Sequence, residues 1–309
     1  MTRVPVSLAA ILVALGIVSC QANDSQDNNR ITFSVNDFRD DGDCFSETRS
    51  NLVNGTSFIW SECDTVGIYP NTGGQVYFAM TAGAGTNSAT FDGGGWNFKS
   101  SAIYYSYYPF IGRMYLDRHH IPVSYLGQHQ PTATSTDHIG PYDYMCTPAT
   151  SAENGSLLFS YSHLNSLIRV TASLPAGTFT KMTITSPDED FATKGYFDLA
   201  AVEPTIISTE TSNQLSITLG DITSDGSSSV IIYMMSAPVD LTGKQIIVRF
   251  YTSSGTIYYQ TKNPSYTYNA GTIGGLTCAD LVRDGDISDG VGLEEQSLGD
   301  DDEVLTINQ

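Results

Sequence analysis

The stretch Ile168-Arg169-Val170-Thr171-Ala172-Ser173-Leu174 alternates apolar and polar side chains over its whole length. An extended chain turns successive side chains to opposite faces, so Ile168, Val170, Ala172 and Leu174 share one face and Arg169, Thr171 and Ser173 the other. The pattern predicts a strand buried on one side. Outward from it the same period recurs. Leu215, Ile217 and Leu219 alternate with Ser216 and Thr218, and Ile246, Val248 and Phe250 alternate with Ile247, Arg249 and Tyr251. Val230 to Met235 is apolar throughout and bounded by serines and Pro238. That is the pattern of a strand buried on both faces.

Turn-forming clusters separate these runs: Asn71-Thr72-Gly73-Gly74, Asp92-Gly93-Gly94-Gly95, Pro175-Ala176-Gly177, Asp225-Gly226 and Ser253-Ser254-Gly255. These residue types supply the backbone angles and local hydrogen bonds that tight turns need. No long stretch holds a clean helical stripe, and the best helical candidate is the short segment from Cys278 to Arg283. Short strands with such frequent turns predict an all-β chain of β-sandwiches, not a parallel α/β sheet.

The two ends have a different character. Arg3 leads an apolar run from Val4 to Val18, which suits the core of a signal peptide and is too short for a membrane span. The run ends in Ile17-Val18-Ser19-Cys20, the pattern of a bacterial lipobox. It predicts residues 1–19 as a lipoprotein signal peptide and Cys20 as the lipidated residue, whose acyl chains would anchor a soluble body to a membrane. Residues 20–30 are polar around Asp24 and Asp27 and read as a tether. The small, turn-rich segment from Thr147 to Gly155 predicts a boundary between a β-sandwich domain at 31–153 and a second at 154–275. Residues 276–309 form an acidic tail that closes with the β-prone Val304-Leu305-Thr306-Ile307.

The chain has 33 Asp and Glu against 14 Lys and Arg, a formal charge of −19 that becomes −20 when Arg3 leaves with the leader. So acidic a surface repels nucleic acid and anionic membranes, which excludes both as partners of the folded body. Cys44, Cys63, Cys146 and Cys278 follow Cys20. In an oxidising compartment they allow up to two disulfides in any of three pairings, with free buried thiols as the alternative. None are spaced as zinc ligands.

No constellation points to catalysis or a cofactor. His119-His120, His129 and His138 lie close in sequence, near Asp117 and Asp137, but without the spacing of a helical metal site. Pro122, Gly127, Pro131, Gly140 and Pro141 predict a loop there instead. A G-x-S-x-G elbow is absent, and nothing beside His163 marks it as a base. Asp188-Glu189-Asp190 follows Pro187 in an apparent turn and reads as solvated charge, not as a glycosidase pair. The nearest metal signal is for calcium. Asp284, Asp286, Ser288 and Glu295 occupy loop positions 1, 3, 5 and 12 of an EF-hand pattern, with Asp289 where the sharp turn needs glycine.

Ala102-Ile103-Tyr104-Tyr105-Ser106-Tyr107-Tyr108-Pro109-Phe110 carries four tyrosines. Alternation sends Ile103, Tyr105 and Tyr107 to one face and Tyr104, Tyr108 and Phe110 to the other. Both faces are therefore expected to pack, and the strand reads as core and rim more than as an exposed sugar platform.

Four blocks together resemble the fimbrillin-like lipoproteins of Bacteroidales, subunits of pili assembled by protease-triggered strand exchange. They are Phe58-Ile59-Trp60 with Asp64-Thr65-Val66-Gly67-Ile68-Tyr69; Trp96 leading to the Tyr104–Phe110 strand; Asp143-Tyr144-Met145; and Leu158-Phe159-Ser160-Tyr161-Ser162-His163-Leu164 with Leu167 and Val170. Their order behind a lipobox carries the likeness. The acidic tail after Gly274 departs from the family's pattern. The resemblance implies two transthyretin-like β-sandwich domains, no enzyme activity and no cofactor. It implies a pilus subunit on the outer-membrane surface, anchored by lipid through Cys20, with other pilin subunits and a host or bacterial surface ligand as partners. In such pili a trypsin-like protease cuts after an arginine, removes the first strand, and the emptied groove receives a strand of the next subunit. Arg30, Arg39 and Arg49 are the processing candidates here, with Arg30 best placed just past the tether. Val304, Leu305 and Ile307 are candidates for a donor strand. The alternative is a surface glycan-binding lipoprotein, which needs outward aromatics, and Trp96 beside the glycine-rich turn is its best candidate.

Overall fold

The computed structural model describes residues 31–35, 39–40, 52–53, 57–62, 64–112, 116–133, 135–153 and 155–284. The leader, Cys20, Arg30, Cys44, Arg49 and Cys63 lie outside the described residues, as do Asp286, Ser288, Glu295, Val304, Leu305 and Ile307.

Strands follow one another from the start: β1 (Ile31–Val35), β2 (Arg39–Asp40), β3 (Leu52–Val53) and β4 (Ser57–Phe58). Longer ones come next: β5 (Thr65–Pro70), β6 (Val76–Ala82), β7 (Ser88–Asp92) and β8 (Ile103–Tyr108). The proline- and glycine-rich middle holds short pieces, β9 (Ile121–Ser124), β10 (His129–Gln130), β11 (Met145–Cys146) and β12 (Thr150–Ser151), and one 3-10 turn at Gly140–Tyr142. Then come β13 (Leu157–His163), β14 (Ser166–Ala172), β15 (Gly177–Thr185) and β16 (Phe191–Phe197). β17 (Ile207–Ser212), β18 (Gln214–Ser224), β19 (Val230–Ser236) and β20 (Val239–Asp240) follow. The last are β21 (Ile246–Thr252), β22 (Ile257–Lys262), β23 (Thr267–Tyr268), β24 (Thr272–Cys278) and β25 (Val282–Arg283). The all-β expectation holds.

The first sheet runs β11-β13-β1-β7-β6-β5-β8-β12, and β11 also pairs with β8. β11 thereby joins the two ends, so the sheet wraps around its own core. That core holds Trp60, Val66, Ile68, Phe78, Phe91, Tyr108, Phe159 and Tyr161. In the other half, the sheet β10-β18-β15-β21-β22-β25 packs on the sheet β19-β14-β24-β2. Val170, Phe179, Met182, Ile217, Ile232 and Val248 fill the space between them. Each such side chain, fully withdrawn from water, contributes about 1.5–3 kcal/mol. The β21–β22 hairpin turns at Gly255, whose φ of +86° is a conformation that favours glycine.

A third apolar cluster lies on the opposite face of the β19-β14-β24-β2 sheet. Leu167, Tyr233, Met235 and Ile273 meet Tyr69 and Tyr107 of the first sheet there, with Ile121, Val123 and Phe197 of β9 and β16. This explains one departure from the sequence pattern. β14 was expected to be buried on one side, yet Arg169 is only 8% exposed and Leu167 is fully buried. The strand lies between β19 and β24 with apolar clusters against both faces. Val230–Met235 meets its two-sided expectation in the same way, and Leu215, Ile217 and Leu219 are buried between exposed neighbours as the alternation predicts.

The helix expected at Cys278–Arg283 does not form. Cys278 ends β24, paired with Ala172, and Val282–Arg283 pairs with Tyr259 and Tyr258. Six residues are too few to repay helix nucleation when neighbouring strands offer ladder bonds at once.

Candidate functional site

β1 occupies an interior position. It runs parallel to β13, with Ile31, Phe33 and Val35 opposite Leu157, Phe159 and Tyr161, and antiparallel to β7, with Ile31, Thr32, Phe33 and Ser34 opposite Phe91, Thr90, Ala89 and Ser88. Its removal would leave two ladders without partners over a slot one strand wide. The flanks of that slot are apolar: Leu157, Phe159 and Tyr161 on one side, Ala89 and Phe91 on the other, all buried. Trp60 spans beneath, its ring centroid 5.1 Å from Phe91 and 5.9 Å from Tyr161, both edge-on. Backbone bonds fix it, since Trp60 N–H donates to Thr86 O at 2.8 Å and Gly85 N–H donates to Trp60 O at 2.8 Å.

The four sequence blocks meet beside this slot. Met145 pairs with both His163 and Tyr108, so Asp143-Tyr144-Met145 is the piece that joins β13 to β8. Phe58 packs edge-on against Tyr108 and His163, with centroids 6.3 and 5.7 Å apart. Tyr108 Oη donates to Asp64 Oδ1 at 2.9 Å, and Ser61 N–H donates to Asp64 Oδ2 at 2.7 Å. Burial raises the Asp64 carboxyl above its ordinary value against these two bonds, and the Asp143 carboxylate adds to the rise. Burial also pushes the Tyr108 hydroxyl well above the ordinary tyrosine value.

His163 has a partner that sequence spacing hid. Its Nδ1 lies 2.8 Å from Asp143 Oδ1, and Asn165 Nδ2 donates to the same oxygen at 3.0 Å. Tyr125 Oη donates to Asn165 Oδ1 at 2.6 Å. This knot is closed to solvent, so it ties the first sheet to β9 and β14 and does not present a base to a substrate. Asn165 and Tyr125 were not singled out by sequence. Neither were Gln128 and Gln130, although their spacing of two already puts both amides on one face of an extended segment.

The aromatic strand is packed on both sides. Tyr104 and Tyr108 enter the first core, while Tyr105 and Tyr107 face the third cluster. Phe110 was expected on the side of Tyr104 but packs with the third cluster, 5.1 Å from the Tyr77 ring. Pro109 has by then left the strand, and the alternation ends with it. Trp96 is 39% exposed and has no ring neighbour among the described residues.

The remaining candidates are scattered. His119 Nδ1 lies 3.0 Å from Asp198 Oδ1, His120 Nδ1 3.0 Å from Asp117 Oδ2, His129 Nδ1 3.1 Å from Thr218 Oγ1, and His138 Nε2 2.9 Å from Tyr233 O. Among the described residues no group of three His, Cys, Asp or Glu side chains converges. Glu189 forms an ion pair with Lys244. Of the calcium pattern only Asp284 is described, and its backbone N–H donates to Ile257 O at 2.8 Å. Cys146 and Cys278 are free, buried thiols in different clusters, so they do not pair with each other. Arg39 lies in β2 opposite Thr272 of β24.

A family model described as fimbrillin-like matches residues 48–277. No curated protein matches the chain by sequence. Among solved structures, the chain is similar to a candidate cell adhesion protein from Bacteroides ovatus, with 13% identity and a TM-score of 0.56 over 82% of this chain and 94% of that one. It is also similar to a candidate cell adhesion protein from Bacteroides uniformis, with 16% identity and a TM-score of 0.51 over 73% and 91%. At these identities the likeness is one of fold.

Proposed function

This chain belongs to the fimbrillin-like family, and from that premise we infer that it is a structural or accessory subunit of a cell-surface pilus that contributes to adhesion. The observation that carries the reading is β1, a strand near the start of the chain seated between β7 and β13. It is the strand whose loss would create an acceptor for a strand of the next subunit, held by backbone bonds and side-chain pockets. The cell adhesion descriptions of the two similar Bacteroides proteins agree with such a role.

The processing reading follows from chain order. A cut after Arg30 releases only what precedes β1, whereas a cut after Arg39 or Arg49 releases β1 itself. Arg39 belongs to a parallel ladder, which must open before a protease can take the backbone as an extended substrate. A cut after Arg39 or Arg49 is therefore the one that frees β1, and a cut after Arg30 trims the tether without strand release. In this reading Cys20 carries the outer-membrane lipid anchor, Val304, Leu305 and Ile307 belong to a donor strand, and other subunits are the partners. The protein acts by assembly, with no catalytic step. We place the passage between the two domains at Leu164–Asn165, where β13 of the first sheet gives way to β14 of the second, downstream of the Thr147–Gly155 turn region.

Treatment of the secreted chain with an arginine-specific protease tests the reading. Intact mass should show loss of a piece that ends at Arg49 or Arg39, and the product should form polymers by size-exclusion light scattering. A chain that loses β1 and stays monomeric at all concentrations would overturn it.

A further inference from the structure

β19 is an outer strand of its sheet, bonded on one side to β14. Its other side would present the backbone groups of Ile231, Tyr233 and Met235 as an open edge. Side chains from the β10 segment cover it instead. Gln128 Nε2 donates to Met235 O at 2.8 Å, and Met235 N–H donates to Gln128 Oε1 at 2.7 Å. Gln130 repeats the motif two residues along, its Nε2 donating to Ile231 O at 2.9 Å and its Oε1 accepting from Tyr233 N–H at 2.8 Å. His138 Nε2 meets the remaining carbonyl, Tyr233 O, at 2.9 Å. A primary amide carries two N–H donors and a carbonyl acceptor, so Gln128 and Gln130 can each donate to this edge and accept from it at once, as the backbone of a neighbouring strand would.

The backbone of the same segment bonds elsewhere. His129 and Gln130 pair in parallel with Thr218 and Leu219 of β18 in the facing sheet, and Thr218 N–H donates to Gln128 O at 3.0 Å. One short segment thus closes the side of the sandwich twice, by main chain to β18 and by side chain to β19. What it covers matters. Val230-Ile231-Ile232-Tyr233-Met234-Met235 has no charge, no proline and no glycine, the composition of segments that pair with copies of themselves when their edge is open.

We propose that Gln128, Gln130 and His138 form a side-chain guard that keeps the edge of β19 from pairing with β19 of a second copy of this chain. It stands on the fold alone and does not need the pilus reading.

The test uses the uncleaved secreted chain, so that β1 stays in its slot. Gln128→Ala/Gln130→Ala should turn a monomer into dimers and larger species whose share grows with concentration, with the native near-ultraviolet circular dichroism kept. Hydrogen exchange should show the Tyr233 and Met235 amides about tenfold less protected in the monomer and protected again in the associated form. Monomers at every concentration, with those amides unprotected, would overturn the proposal. If the double variant does not fold, His138→Ala and the parent chain serve. His138→Ala should associate more weakly than the double variant but measurably, and the parent's Tyr233 and Met235 amides should exchange as slowly as those of β14. Fast exchange of these two amides in the parent, or no association of His138→Ala, would equally contradict it.

Discussion

His163 Nδ1 and Asp143 Oδ1 lie 2.8 Å apart with both side chains withdrawn from solvent, and the strand piece that carries Met145 joins β13 to β8 beside them. Removing one member of a buried, hydrogen-bonded pair leaves the other without compensation, which costs about 3–5 kcal/mol. His163→Ala and Asp143→Ala should each lower stability by about 3 kcal/mol or more in urea unfolding. The exposed pair Lys194–Glu210, at 2.9 Å, is the contrast: Glu210→Ala should change stability by less than about 1 kcal/mol.

The floor of the β1 slot should be equally sensitive. Trp60 is fully buried and touches Phe58, Phe91, Tyr108 and Tyr161. Trp60→Ala should cost about 3–5 kcal/mol through the cavity it leaves. Gly67 makes the opposite point, since a Cβ there would stand 2.2 Å from Tyr107 Cε1. Gly67→Ala should cost about 1–3 kcal/mol by overpacking, read as a lower midpoint in the same denaturant.

Acid should weaken the second half before it protonates most carboxylates. Burial lowers the His138 imidazole below its ordinary value, with His129 adding to the fall and the Tyr233 carbonyl and Asp137 opposing it. The unfolded chain then takes up the proton first, so stability is complete above about pH 6.5 and declines as the pH falls toward the folded value. Asp64 has the opposite sign. Its raised carboxyl gives the fold a relative gain as the pH drops through the folded value toward the ordinary one. Urea midpoints measured between about pH 7.5 and 5.5 should therefore fall, and His138→Gln should flatten that slope.

The two described thiols should be inert in the folded protein. Burial pushes the Cys146 thiol up to about 12 and the Cys278 thiol up to about 11. Peptide mapping after iodoacetamide at neutral pH should find both unmodified until denaturant is added. Labelling of either in the native chain would contradict the packing of its cluster.

Much of this was legible in advance because the signal is local. The alternation at Leu215–Leu219 and the apolar run Val230–Met235 set their strands and burial without reference to the rest of the chain. The side chains of Ile168–Leu174 gave the strand but not the burial of Arg169, because a third cluster on the far face of β14 is a matter of tertiary packing. Cys278–Arg283 failed for a related reason: weak local helical preference lost to ladder partners distant in sequence. The four blocks around Trp60, Tyr108, Asp143 and His163 were recognisable as a set, while their contacts were not. Asn165 and Tyr125 complete the buried knot through bonds spanning dozens of residues, and a one-dimensional pattern carries no mark of such a partner.

Locking β1 in place tests the central claim most directly. Thr32 and Thr90 are directly opposite in the β1–β7 ladder, a separation that a disulfide can bridge. Thr32→Cys/Thr90→Cys should be cut by the arginine-specific protease yet remain monomeric while oxidised, and should polymerise like the parent chain once reduced. Polymers that form equally well with the disulfide intact would show that β1 need not leave its slot, and the strand-exchange account would fail.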